Sequence, residues 1–436
     1  MASKNTFLCF ILALHIFGNF KLNIIETLPI ESYADNFGII LDAGSSSTKI
    51  RIYSWTYGPE NVPAFIEEFY KKFSPGISDL DVHSKEIEIY LREIISIIEQ
   101  ELDIIPERWA TIPIYFMATA GMRLLDEDTT GAIMTSVNQV LSDVDINPFM
   151  FEEGNARILS GEEEALFAWL TVNYFNNYFA STSSLDDSLG LVEIGGGSAQ
   201  IAFIPEDPIY AGKMPATIAG REYGVYCHSF LSFGATLIAE RIAEHLIREN
   251  PHAHTINNPC MLKGDERNGT LNDKIISMVG GGNASLCESV LRHFLSPADP
   301  DMCSPKPCTI GQVYQPPVKD RKFFTFGLTY YLAKDFATIT GDDSLTWQGL
   351  RESAIEYCGK NYSDVVDTLG ISPKFASRNC QDGLYVPMLL SALGIDYDNV
   401  IVGKQIQGQS VKSWSVGAML YEEERLRYLV FSGNQV

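Results

Sequence analysis

Two short stretches constrain this chain more than anything else in it. One runs Leu41, Asp42, Ala43, Gly44, Ser45, Ser46, Ser47, Thr48, Lys49, Ile50; the other, about 150 residues later, runs Val192, Glu193, Ile194, Gly195, Gly196, Gly197, Ser198, Ala199, Gln200, Ile201. Both place an acid between apolar residues, a glycine two positions on, and then a run of small residues. Each predicts a strand, a tight turn and a second strand. Small residues let backbone approach a ligand, and successive N–H groups in such a turn form an anion-binding nest. A single copy describes any hairpin. Two copies point to a phosphate chain held between two modules of related plan, with the acids Asp42 and Glu193 available to orient the water shell of a metal ion.

The chain is long enough for two or three domains, and its apolar fraction of 46% is ample for packed cores. A formal net charge of −23 opposes broad attraction to nucleic acid, so no nucleic-acid partner is expected. A polyphosphate ligand would have to be neutralised locally, by backbone amides and a divalent cation, Mg²⁺ or Ca²⁺. Lys4 precedes an apolar run from Phe7 to Phe17 followed by Gly18 and Asn19. That length suits the core of a signal peptide over residues 1–27; with no clean small-residue cleavage site after it, an uncleaved amino-terminal anchor stays open. The segment Tyr421 to Arg427 is polar, so no C-terminal anchor is expected. Nothing in the sequence fixes the oligomeric state.

Six cysteines lie between residues 260 and 380. Pairing by proximity gives Cys260 with Cys287, Cys303 with Cys308, and Cys358 with Cys380, one of 15 possible connectivities, and leaves Cys227 as a buried free thiol. Acceptor sequons at Asn268, Asn283 and Asn361 agree with a secreted or luminal glycoprotein. The stretch 250–317, rich in Pro, Gly and Cys, reads as an irregular surface insertion tied by disulfides.

Ile87, Tyr90, Leu91, Ile94 and Ile98 recur at helical spacing between residues 85 and 102. Residues 113–117 predict a buried strand that opens on a loop, Ala118, Thr119, Ala120, Gly121, Met122, Arg123. Ser160 followed by Glu163 is a capping box, so a helix starts there. Met twice, this order suggests two α/β lobes.

Together the segments DAGSSSTK (42–49), ATAGMR (118–123), SGEEEALFAW (160–169), EIGGGSAQ (193–200) and WSVGAM (414–419) resemble, in order, the five motifs of the apyrases, the nucleoside triphosphate diphosphohydrolases. The stretches SPGIS (74–78), YCHSFL (226–231) and GQVYQP (311–316) are similar too. The resemblance implies two actin-like, ribonuclease-H-like lobes with nucleotide between them: lobe I from 36–162 plus 408–436, and lobe II from 163–407. It implies hydrolysis of nucleoside tri- and diphosphates. Glu164 would be the general base, with Ser198 and Gln200 placing the water. The amides of Ser45, Ser46, Ser47 and Thr48 and of Gly195, Gly196, Gly197, Ser198 and Ala199 would hold phosphate, and Thr119 and Arg123 would act at the same phosphate cleft. Two aromatic rings of lobe II would sandwich the base, and Tyr330 or Tyr331 with Tyr385 are the candidates.

Departures from the family pattern are local. Ser47 stands where glycine is usual, Lys49 where arginine is frequent, and Ala165 and Ala168 where glycines are common. Glu193 replaces the usual Asp and moves the carboxylate by about an ångström or more. Two other readings share features with this one. An exopolyphosphatase or guanosine-pentaphosphate hydrolase has both turns but fits the secretory signs poorly; a nucleotide-binding scavenger or sensor with little turnover would use the same cleft.

Overall fold

In a computed structural model of the chain, the described residues are 36–431 apart from 45, 59, 181–182, 273, 297–298, 300 and 337–346. The expected signal segment and Ser45 therefore lie outside the described residues.

Two mixed sheets organise the chain. The first is built from β1 (Asn36–Gly44), β2 (Ser47–Tyr57), β3 (Pro63–Phe73), β4 (Ile114–Ala118) and β5 (Ala156–Ile158), with α1 (Glu86–Glu101), the short α2 (Ala120–Arg123) and α3 (Glu127–Ser142) between them. Its strand order is β3-β2-β1-β4-β5; β1, β2 and β3 pair antiparallel, and β1, β4 and β5 pair parallel. Helix α4 (Gly161–Phe175) then leads to the second sheet: β6 (Gly190–Ile194), β7 (Ser198–Phe203), β8 (Lys213–Ile218) and β9 (Arg221–Leu231), followed by α5 (Ala235–Glu249). Further along come β10 (Thr255–Asn258), β11 (Glu266–Leu271), β12 (Lys274–Gly280), α6 (Ala284–Phe294), β13 (Phe323–Thr325), α7 (Leu328–Asp335), α8 (Trp347–Cys358), α9 (Pro373–Ala392), β14 (Val400–Val402) and α10 (Ser415–Phe431). The second sheet has the order β14-β13-β6-β7-β9-β8, with β6, β13 and β14 parallel and the rest antiparallel. Leaving out the edge strand β8, it repeats the plan of the first. The repeat of the two turns in sequence is thus a repeat of two sheets, the actin-like α/β architecture.

Side-chain alternation along the central strands distributes the cores. Ile39 and Leu41 of β1 point into a cluster with Leu91 and Ile94 of α1 and Ile133 and Val137 of α3. Ile40, between them, joins a different cluster with Leu166, Phe167 and Trp169 of α4, Ala418 and Met419 of α10, and Leu191, Ala202 and Phe324 of the second sheet. Helix α4 therefore lies between the two sheets. This explains why Glu164 through Asn173 are all buried and why the helix has no polar face. Helix α10 reaches it through Gly417: a Cβ there would fall 1.9 Å from the Phe167 carbonyl oxygen, and the Gly417 amide donates to Thr171 Oγ1 at 2.8 Å. The far face of the second sheet is covered by α5 and α9, with Ile194, Ile201, Ile238, Leu384 and Leu389 in one core.

The stretch 250–317 is more regular than expected. It holds a three-stranded sheet of order β10-β12-β11 and the helix α6, capped by Asn283, whose side chain accepts from the Leu286 amide. Short strands and frequent Gly hid them. The three disulfides are Cys260–Cys287, Cys303–Cys308 and Cys358–Cys380; Cys227 is free and buried. Among the described residues no helix is long and apolar enough to cross a membrane.

Candidate active site

The first half of the site forms at the end of β1. Asp42 is 1% exposed and stands opposite Lys49 across the β1–β2 hairpin; Lys49 Nζ lies 2.9 Å from Asp42 Oδ2, and the Asp42 charge pushes the lysine pKa up. Ser46 sits exposed at the turn, whereas Ser47 and Thr48 are buried in β2. Thr48 pairs with Ala43 on one side and Phe73 on the other. Beside them the chain leaves β4 at Ala118. The Thr119 amide donates to the Ala43 carbonyl at 3.1 Å, and the Thr119 carbonyl accepts from the Met122 and Arg123 amides. That turn sends the Arg123 side chain toward the second sheet.

The second half is the β6–β7 turn. The Gly195 amide donates to the Ser198 carbonyl at 2.9 Å, and the Gly195 and Gly196 carbonyls accept from the first-turn amides of α5, those of Ala235, Thr236 and Leu237. This close approach depends on Gly234, where a Cβ would lie 2.4 Å from the Gly196 carbonyl and the Ser198 nitrogen. With its carbonyls held by α5, the turn presents the amides of Gly196 and Gly197, which have no partner among the described residues. Ala199 lies in β7 with strands on both sides, so its amide belongs to the ladder rather than to the turn. Gly197 also marks the contact between the halves: a Cβ there would fall 2.8 Å from Ala120 Cβ.

The capping box at Ser160 fixes the start of α4. Ser160 Oγ accepts from the Glu163 amide at 3.0 Å, and the Glu163 carboxylate accepts from the Ser160 amide at 2.9 Å. Glu163 is thereby turned to the helix end, with Arg157 3.4 Å away, and Glu164 is turned inward. Arg123 Nη2 donates to Glu164 Oε2 at 2.6 Å and to Ser198 Oγ at 3.4 Å. Gln200 Nε2 donates to Ser198 Oγ at 2.6 Å, while Gln200 Oε1 is buried without a partner among the described residues. Burial raises the Glu164 pKa against the opposing pull of Arg123. Glu193 is pushed up to about 8, first by burial and then by the Glu164 and Asp42 charges, and its Oε2 has no partner among the described residues. The site holds three carboxylates, and its positive charge comes from Lys49 and Arg123.

Among the aromatic candidates, Tyr385 is a correction. It is fully enclosed in the core against α5, its hydroxyl donating to the Phe233 carbonyl at 2.6 Å, so its ring has no face open to a ligand. Tyr330 and Tyr331 lie on α7, which follows the C-terminal end of β13, and their rings are 5.4 Å apart; Tyr331 is 62% exposed and Lys404 Nζ lies over the Tyr330 ring. In parallel sheets the ends of such strands carry ligands. Sequence reasoning missed Ser229 of β9, whose Oγ accepts from Gln200 Nε2 at 3.1 Å. The only signal was its place in YCHSFL.

Two sheets of matched order, each with a glycine-containing turn between its first two strands, define an actin-like α/β fold. Residues 29–430 match the GDA1/CD39 (nucleoside phosphatase) family, and the chain belongs to that family. It is similar to ectonucleoside triphosphate diphosphohydrolase 1 of Bos taurus, 29% identical over 424 residues covering 88% of this chain and 80% of that protein. It is also similar to the Golgi apyrase of Saccharomyces cerevisiae, 27% identical over 456 residues, 90% of this chain and 71% of that protein. Among solved structures, a nucleoside triphosphate hydrolase from Neospora caninum matches with a TM-score of 0.66 over 90% of this chain and 93% of its own, at 14% identity, a likeness of fold alone.

Proposed function

We propose that this chain hydrolyses the terminal phosphate of nucleoside tri- and diphosphates, with a divalent cation and Glu164 as general base, in an extracellular or luminal setting. The observation that carries the reading is that Arg123 donates both to Glu164 and to Ser198, which in turn accepts from Gln200, so that an acid is joined to groups of both sheets. The terminal phosphate lies between the two turns, where the Ser46, Gly196 and Gly197 amides and Arg123 meet its oxygens. Glu164 takes a proton from a water that Ser198 and the unpaired Gln200 Oε1 hold. The oxygen of that water attacks the terminal phosphorus in line, the bond to the bridging oxygen breaks with its electron pair staying on the shortened nucleotide, and that nucleotide and inorganic phosphate leave. Positioning and electrostatics supply most of the stabilisation in such a transfer.

The residues fit a divalent cation. The charges of Asp42, Glu164 and Glu193 act on one another, Glu193 Oε2 is buried with no partner among the described residues, and the Glu193 pKa lies far above its ordinary value. Bound Mg²⁺ or Ca²⁺ supplies neutralising charge to the phosphate oxygens. Asp42 and Glu193 orient its water shell, and among the described residues no three His, Cys, Asp or Glu side chains form a direct cage. The names of the relatives, ecto-enzymes and a Golgi apyrase, support the setting, as do three disulfides and the exposed Asn268, Asn283 and Asn361. Tyr330 and Tyr331 stand where a base could stack.

Phosphate release from a panel of nucleoside tri- and diphosphates, with and without a chelator, tests the reading. Turnover that stops on chelation is expected. Turnover undiminished in excess chelator contradicts the cation, and none with any nucleotide contradicts the hydrolase.

A further inference from the structure

The sheet face that carries the site has a third member. Glu193 stands opposite Gln200 across β6 and β7, and Gln200 opposite Ser229 across β7 and β9, so the three side chains form one row on one face. The Gln200 amide nitrogen donates to Ser198 Oγ at 2.6 Å and to Ser229 Oγ at 3.1 Å, which uses both of its protons. Its carbonyl oxygen, buried and unpaired, remains as an acceptor. Ser198 belongs to the phosphate turn and also meets Arg123, so its hydroxyl is shared with the groups that engage substrate. Ser229 is the acceptor outside that turn.

Ser229 is also wedged against the helix that carries the acid. A Cβ on Gly161, the first residue of α4, would lie 2.3 Å from Ser229 Cβ and 2.8 Å from its Oγ. The helix start must lack a side chain for Ser229 to occupy its place. Gly161 lies three residues before Glu164, so one small side chain fixes the amide of Gln200 against the start of the helix bearing the acid.

We propose that Ser229 is a positioning residue, whose hydroxyl fixes the rotation of the Gln200 amide so that Oε1 faces the water from which Glu164 takes a proton. The inference rests on the hydrolase reading above. Without Ser229 the amide keeps one acceptor and rotates, and the water loses its orienting partner.

The test is a cycle of four full-length proteins: parent, Ser229→Ala, Gln200→Ala and the double variant. Each is assayed for phosphate release from ATP with Mg²⁺ and for binding of a non-hydrolysable analogue. Ser229→Ala should lower kcat roughly tenfold, the scale of one hydrogen bond, with KM and analogue affinity within about twofold of the parent. The double variant should turn over at the rate of Gln200→Ala, because the hydroxyl acts only through the amide. Losses that multiply, Ser229→Ala at the parent kcat, or a Ser229→Ala protein that no longer binds the analogue each overturn the role given to Ser229. A parent without turnover overturns the hydrolase reading itself, and Ser229's role with it.

Discussion

Arg123 and Glu164 meet at 2.6 Å, and the contact ties the end of the first sheet's central parallel strand to the helix that lies between both sheets. Both side chains are largely enclosed, so water screens the pair little. In this state the guanidinium lowers the Glu164 pKa, opposing the larger upward effect of burial. The same guanidinium reaches Ser198 at the start of β7, so under the proposed function an arriving phosphate would compete with Glu164 for it.

Replacing Arg123 by Ala should therefore do two things. Turnover should fall about 10²-fold or more, as for loss of a charge-stabilising donor. The acidic limb of the pH–rate profile should move to higher pH, because Glu164 loses the partner that favours its ionised form. A residual rate with an unmoved acidic limb would show that Glu164 is not the titrating base.

Glu193 makes stability depend on pH in the absence of cation. Its pKa rises from 4.5 to about 8 on folding, so the folded state binds the proton more tightly than the unfolded chain. Below about 4.5 the group is protonated in both states and has no effect; above that, stability falls until about pH 8. Melting temperatures of chelated protein across this range should show the slope, Glu193→Gln should flatten it, and excess Mg²⁺ should offset it. Equal slopes in parent and variant would contradict the assignment.

Cys227 is buried and its thiol pKa is raised, chiefly by burial. It should resist alkylation in the native protein and react once the chain unfolds. Non-reduced peptide maps should link Cys303 to Cys308 and leave Cys227 unlinked. Since the bridges Cys260–Cys287, Cys303–Cys308 and Cys358–Cys380 all lie outside the first sheet, reduction should increase hydrogen exchange around them before it does in β1 to β5.

Gly417→Ala should be strongly destabilising. The added methyl would meet the Phe167 carbonyl and the Thr171 nitrogen, both backbone atoms that cannot step aside without parting α10 from α4. A loss of about 1–3 kcal/mol or more is expected from such overpacking, measured by denaturant unfolding. An unchanged midpoint would mean that the two helices do not approach as described.

What could be read from the sequence was local or repeated. The turns at Gly44 and Gly195 share a pattern because each joins the first two strands of a sheet, and Ser160 with Glu163 states its hydrogen bonds in its spacing. The disulfides followed proximity because each closes a short loop. The strands β13 and β14 have three residues each, too few for any period, and β10 to β12 lie in a stretch whose composition resembles a loop. Tyr385 misled for a physical reason: its hydroxyl finds a backbone carbonyl inside the core, which lets a tyrosine be buried where sequence suggests a binding ring. Arg123 with Glu164 and Gln200 with Ser229 are tertiary pairs, 41 and 29 residues apart, that no local pattern encodes.

The central claim is that Glu164 is the base and Glu163 only the cap. Turnover of a nucleoside triphosphate by Glu164→Gln and Glu163→Gln, set beside binding of a non-hydrolysable analogue, tests it most directly. Glu164→Gln should bind nucleotide and lose about 10² to 10⁴ in rate, while Glu163→Gln, which keeps a capping-box side chain, should turn over like the parent. Parent-like turnover by Glu164→Gln, or inactivity confined to Glu163→Gln, would contradict the account.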